Sequence, residues 1–140
     1  MVYTLALSTD MMKCWLPRKT QISMVEMFAP VLAIEYLGSA AQGKSILFFV
    51  DSESVEGAMV KGYSASADIC ELVGVYWKMI DKRRVHAYVD RVSTDANIAD
   101  GPSRDDPSFW KMVDDLGWCV LDTWVPPYLH PDTAFKGLGE

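Results

Sequence analysis

Cysteine is scarce in this chain. The three present, Cys14, Cys70 and Cys119, stand far apart, and no CxxC pair or Cys/His cluster occurs. A zinc site and a disulfide framework are both unsupported by that spacing, and free thiols in a reducing compartment are expected. Positive charge is also short. Thirteen Lys and Arg face nineteen Asp and Glu, a net charge of −6, which argues against a general nucleic-acid binder, normally basic. It leaves room for an enzyme whose acidic site is neutralised by cations. No run approaches the roughly 18 consecutive apolar residues of a membrane span, so no membrane association is expected. The opening "MVYTLALSTD" lacks the basic flank of a signal peptide, and an intracellular location, cytoplasm or nucleus, follows as an expectation. Internal repeats and low-complexity segments are missing too. "GSAAQGKS", Gly38 to Ser45, has the GxxxxGK[ST] spacing. It falls between a helix and a strand, whereas a phosphate-binding loop follows a strand and opens a helix.

What remains is an ordinary globular composition, half hydrophobic and 23% charged over 140 residues. That length suits one domain. "VYTLALS" (Val2–Ser8) reads as a strand, and "TDMMKCWLPRK" as a loop with one helical turn. "TQISMVEMFAPVLAIEYLG" carries apolar residues at helical spacing, with Pro30 predicting a kink or break inside it. "SILFFV" (Ser45–Val50) is unbroken and apolar, the pattern of a strand covered on both faces. Two helices follow, a short one closed by Gly62 and a long one ending near Lys82, then the alternating strand "RVHAYVDRV" and the amphipathic helix "SFWKMVDDLG". Alternation of strands and helices predicts an α/β domain with parallel pairing over residues 1–116. Residues 117–140, rich in Pro and Gly, are expected to form a tail packed through its tryptophans or to belong to a further segment.

Three acids stand out by position. Asp51 ends the buried strand, where open α/β sheets bind ligands, though it could equally cap the next helix. Glu26 shares a helix face with Ile22, Ala29, Pro30 and Ala33. A carboxylate on so apolar a face needs a cation or a hydrogen-bond donor, unless Ser23 to Glu26 is a capping box at a later helix start. Asp100, in "RVSTDANIADGPSR", either forms a turn or cap or completes a set with the other two. Asp95 competes with it from the loop tip. Glu35 is expected to face solvent. Three oxygen donors without Cys or His suit Mg²⁺ or Mn²⁺, and a pair of such ions about 3.5–4 Å apart serves phosphodiester hydrolysis.

In three places the chain resembles the ribonuclease H domain attached to reverse transcriptases of retroelements and pararetroviruses. "ISMVEMFAPVLAIEYLG" is similar to the family's first helix, "ILFFVDSESVEGAMVKG" to its strand ending in Asp-Ser or Asp-Asn, and "RVSTDANIADGPSR" to its Asn-x-Ala-Asp-x-x-Ser-Arg signature. The resemblance spans Val2 to Arg104. It implies a ribonuclease H-like mixed sheet with flanking helices, catalytic and metal-binding roles for Glu26, Asp51 and Asp100, and metal-dependent hydrolysis of the RNA strand of RNA–DNA hybrids. Arg104 is implied as a loop arginine.

The family's first catalytic Asp lies on a hairpin strand ahead of the strand that Val2–Ser8 resembles. The domain is therefore expected to be N-terminally truncated, with activity weak or lost; Asp10 is a poor substitute. A histidine common before the last Asp is missing, and His86 falls in a strand instead. Arg104, Lys61 and Lys44 are the expected phosphate contacts. Lys82, Arg83 and Arg84 read as a solvated helix end. Trp77 and Trp110 read as core, with Trp15 less defined. The expected partners are an RNA–DNA hybrid and the polymerase part of a longer polyprotein. The alternative is a non-catalytic ribonuclease H-like module with a structural or interaction role.

Overall fold

In the computed structural model, residues 1–126 and 129 are described. The elements run β1 (Val2–Thr4), α1 (Thr9–Lys13), α2 (Ile22–Leu37), β2 (Ser45–Val50), α3 (Glu53–Lys61), α4 (Ala67–Lys82), β3 (His86–Arg91), α5 (Asp100–Ser103), α6 (Pro107–Asp115) and β4 (Val120–Asp122). The chain is of mixed α/β class. Its described strands form two parallel pairs, β2 with β3 and β1 with β4.

The core forms where α2 and α4 lie against the β2–β3 pair. On α4, Ile69, Leu72, Val73, Tyr76 and Ile80 recur every three or four residues and are buried, so one stripe faces inward. Met24, Met27, Phe28, Val31, Leu32 and Ile34 of α2 meet them. The run Ile22–Ala41 is long and apolar enough to cross a membrane by length and composition. In this domain 39% of that window is buried, and Met24, Met27, Phe28, Val31, Leu32 and Ile34 of it join the core. Helix α2 continues through Pro30 without a break. Pro30 has no N–H to give the carbonyl four residues back, which is that of Glu26.

A polar clip fastens the loop before α2. Asp68, buried at the start of α4, accepts from the Leu16 N–H at 3.1 Å and from Arg18 at 2.5 Å, and Ser66 donates to it as well. Arg18 in turn reaches Gln21. Both carboxylate oxygens that burial removes from water are thereby given donors.

Several expectations change. Strand β2 is covered on one face only. Phe48 is buried, with Ile46 and Val50 packed against the core, while Leu47 and Phe49 are 52% and 60% exposed, because the helices lie on the other side. Glu35 is half-buried and lies 3.8 Å from Arg83, since the end of α4 folds back beside α2. Trp77 is partly exposed, its indole donating to the Met59 carbonyl, whereas Trp15 is fully in the core against Phe28. The first strand stops at Thr4. Part of the expected tail supplies β4, which pairs with β1, and Tyr36 is hydrogen-bonded to the Trp124 backbone. The rest of that tail, residues 127–128 and 130–140, lies outside the described residues.

Candidate carboxylate site

Three elements carry the acids. Helix α2 begins at Ile22 without a side-chain cap, so Ser23 lies inside the helix and no capping box forms. Glu26 is then one turn in, half-buried. Asp51 follows β2. The cap of α3 is the neighbouring Ser52, whose hydroxyl accepts from the Val55 N–H at 3.3 Å, and Asp51 is released from that duty. The same hydroxyl also acts on the Glu26 carboxylate, lowering its titration against the effect of burial. Ser54 lies 3.1 Å from Ser52 and 3.4 Å from Ser23, so a small hydroxyl cluster borders Glu26.

Asp100 opens the four-residue helix α5. Its Oδ1 accepts from Asn97 at 3.3 Å and its Oδ2 from Arg104 at 3.2 Å. Asn97 also makes the turn, accepting from the Ala99 N–H. The next residue is glycine for a steric reason. A Cβ at Gly101 would sit 2.5 Å from the Phe109 ring, so the close approach of α6 to α5 requires its absence.

The electrostatics join these pieces. Burial raises the Glu26 carboxyl above the ordinary carboxylate range, the Ser52 hydrogen bond opposes that, and the charges of Asp51 and Asp100 raise it further. The charges of Asp51, after β2, and of Asp100, at the start of α5, thus both act on Glu26 of α2. Among the described residues, no group of three or more His, Cys, Asp or Glu is arranged to hold a metal ion. The bonds from Arg104 and Asn97 hold Asp100 to its own loop. The donors fit a hard divalent cation in kind, being all oxygen; their present arrangement is not a ligand cage.

The chain matches no family model, no curated protein and no solved structure.

The remaining expected residues are spread more widely. Arg104 is exposed and beside the acids through Asp100. Lys61 ends α3, whose first turn adjoins Asp51, roughly 12 Å along the helix axis. Lys44 precedes β2 and is at the opposite end of that strand from Asp51, roughly 20 Å away. Arg84 and His86 lie at that same far end, and Asp95 and Asp10 are exposed. Two features escaped the sequence reading. Parallel pairing sets Arg91 opposite Val50, where it meets Glu53 at 3.4 Å. The serines of "DSES", with Ser23, form the hydroxyl border of Glu26; a Ser on each side of a helix start was the available signal.

Proposed function

We propose that this chain is a ribonuclease H-like domain of reverse-transcriptase origin, built for divalent-cation-dependent hydrolysis of the RNA strand of RNA–DNA hybrids. The observation that carries the reading is the raised Glu26 carboxyl, whose causes include the charges of both Asp51 and Asp100. A cluster of like charges, half removed from water, is a site where a cation is stabilising. Glu26, Asp51 and Asp100 would hold Mg²⁺ or Mn²⁺, and the bound ion would supply an activated water and charge stabilisation at the phosphate.

The chain's own groups do the rest. Ser52 favours the charged form of Glu26. Arg104, bonded to Asp100 in the free protein, is the group a substrate phosphate would compete for, because guanidinium binds phosphate in a two-pronged geometry. Transfer of Arg104 to a phosphate frees an oxygen of Asp100, so hybrid binding and completion of the acid set are coupled. Lys61 extends the phosphate track along α3.

The test is cleavage of a labelled RNA–DNA hybrid with Mn²⁺. The expected result is slow cleavage of the RNA strand that Asp51→Asn abolishes; cleavage unchanged by that substitution would remove the assignment. The engagement of Asp100 by its own loop favours a second reading, a non-catalytic ribonuclease H-like module beside a polymerase. Normal folding with no cleavage in any divalent ion selects it.

A further inference from the structure

Strand β3 ends in a side chain unlike its neighbours. Ala87 and Val89 pack against the core, and alternation puts Arg91 on the same face. That apolar stripe thus finishes in a guanidinium, which is half exposed. The register sets Arg91 opposite Val50, and the Val92 N–H bonds the Val50 carbonyl at 2.9 Å, so the pairing runs to the end of both strands. Asp51 is the residue after Val50. Paired strands lie about 4.8 Å apart, which places the Arg91 backbone beside the strand end that carries this acid. Glu53, in the first turn of α3, holds the guanidinium at 3.4 Å. Two arginines therefore border the acids, Arg91 at the strand end and Arg104 on Asp100.

We infer that Arg91 is a phosphate-binding residue of the acid site, holding the sugar–phosphate backbone of the RNA–DNA hybrid next to Asp51. The choice of substrate rests on the hydrolytic reading above. Acids that gather a metal ion also repel a phosphate, so a bound backbone needs cations at their edge. Lys44 is at the far end of β2, whereas Arg91 stands at the same end as Asp51. Its present partner does not compete strongly. Glu53 is 87% exposed, and an exposed pair of this kind contributes little to the fold. A phosphate offers more, because guanidinium binds it through two parallel hydrogen bonds. Glu53 serves as a placeholder, keeping the guanidinium extended toward α3 until a phosphate replaces it. Arg91 exchanges Glu53 for the substrate as Arg104 exchanges Asp100.

Binding of a labelled RNA–DNA hybrid to the full chain, followed by fluorescence anisotropy without divalent ions so that no cleavage intrudes, tests it. Arg91→Gln should weaken binding about tenfold, the scale of one charge-assisted hydrogen bond. The dependence of log affinity on log salt should become shallower by about one unit, one phosphate contact fewer. Glu53→Gln should act in the opposite direction and tighten binding about threefold, since the guanidinium is no longer shared. That gain should vanish in the Arg91→Gln background. An ion pair that only fastened β3 to α3 would not give opposite signs. Both single variants should unfold near the wild-type temperature. Affinity and salt dependence unchanged in Arg91→Gln overturn the inference, as do two variants that both weaken binding, or a wild-type chain that binds no hybrid. Failure of the hydrolytic reading looks different: binding that depends on Arg91, without cleavage in Mn²⁺, removes that reading and leaves the phosphate contact standing.

Discussion

Glu26 shows how one carboxylate can be costly to the fold and useful at once. Its folded pKa is raised by burial and by Asp51 and Asp100. A raised acid favours folding while protonated, and that contribution is lost as pH rises through the shifted value. At neutral pH the full cost is present. Glu26→Gln should therefore raise the thermal midpoint near pH 7 by a small amount, solvent screening keeping it well under about 1 kcal/mol. The gain should vanish near pH 4, in the ordinary range of carboxylate titration. Melting curves at the two pH values check this.

Asp68 has the opposite sign. Burial would raise its carboxyl, but hydrogen bonds from Arg18, Ser66 and Leu16, together with the Arg18 charge, prevail and hold it below the usual range. Its contribution is present above the ordinary aspartate value and fades as pH falls through the lowered one, so acid loss of stability belongs below about pH 4. Asp68→Ala, which strands Arg18, should cost about 3–5 kcal/mol in denaturant unfolding at neutral pH. Tyr76 offers a contrast, being buried with a hydroxyl that lacks a partner among the described residues. Tyr76→Phe should stabilise the fold by about 1 kcal/mol, the relief of an unsatisfied hydroxyl, measured in the same titrations.

At the scale of elements, periodicity made the helices legible. The stripe on α4 falls where its spacing placed it, and Gly62 ends α3 in the left-handed region at φ 80°; α2 forms over the expected run, but Ile22 and Ala29, read as part of an apolar face shared with Glu26, are exposed, and the buried face runs through Met24, Met27, Phe28 and Val31 instead. What spacing could not show was which side of a strand is covered. "SILFFV" reads the same whether helices lie on one face or two, and only the packing exposes Leu47 and Phe49. Nor could it show that β4, three residues in a Pro-rich stretch, pairs with β1 from the other end of the chain.

The α5–α6 turn is a case where one residue carries an element. Gly101→Ala would drive a methyl group into the Phe109 ring and shift α5, and with it Asp100, away from Glu26. Amide exchange at position 101 and at Phe109 should accelerate, and the Asp100 contribution to the Glu26 titration should fall. Unchanged exchange would mean that Phe109 can turn aside.

For the molecule as a whole, the sequence grouped Glu26, Asp51 and Asp100 by order and by resemblance in their flanking motifs; the charges of the other two reach Glu26, but among the described residues the acids form no group arranged to hold a metal ion. Any convergence of the three depends on α2 packing against α3, the helix that follows β2, and on the loop after β3 returning towards them. Such long-range placement is invisible to local pattern. The hydroxyl border and the hold of Arg104 on Asp100 were equally hidden, since each depends on side-chain direction.

The whole account turns on that convergence, and a carboxyl-detected NMR titration of Glu26 tests it most directly. In the metal-free wild-type chain its pKa should lie above the ordinary value of about 4.3, and Asp51→Asn and Asp100→Asn should each lower it. A Glu26 titration that ignores Asp100→Asn would mean that the loop acid stands apart from the other two, and would contradict the shared site.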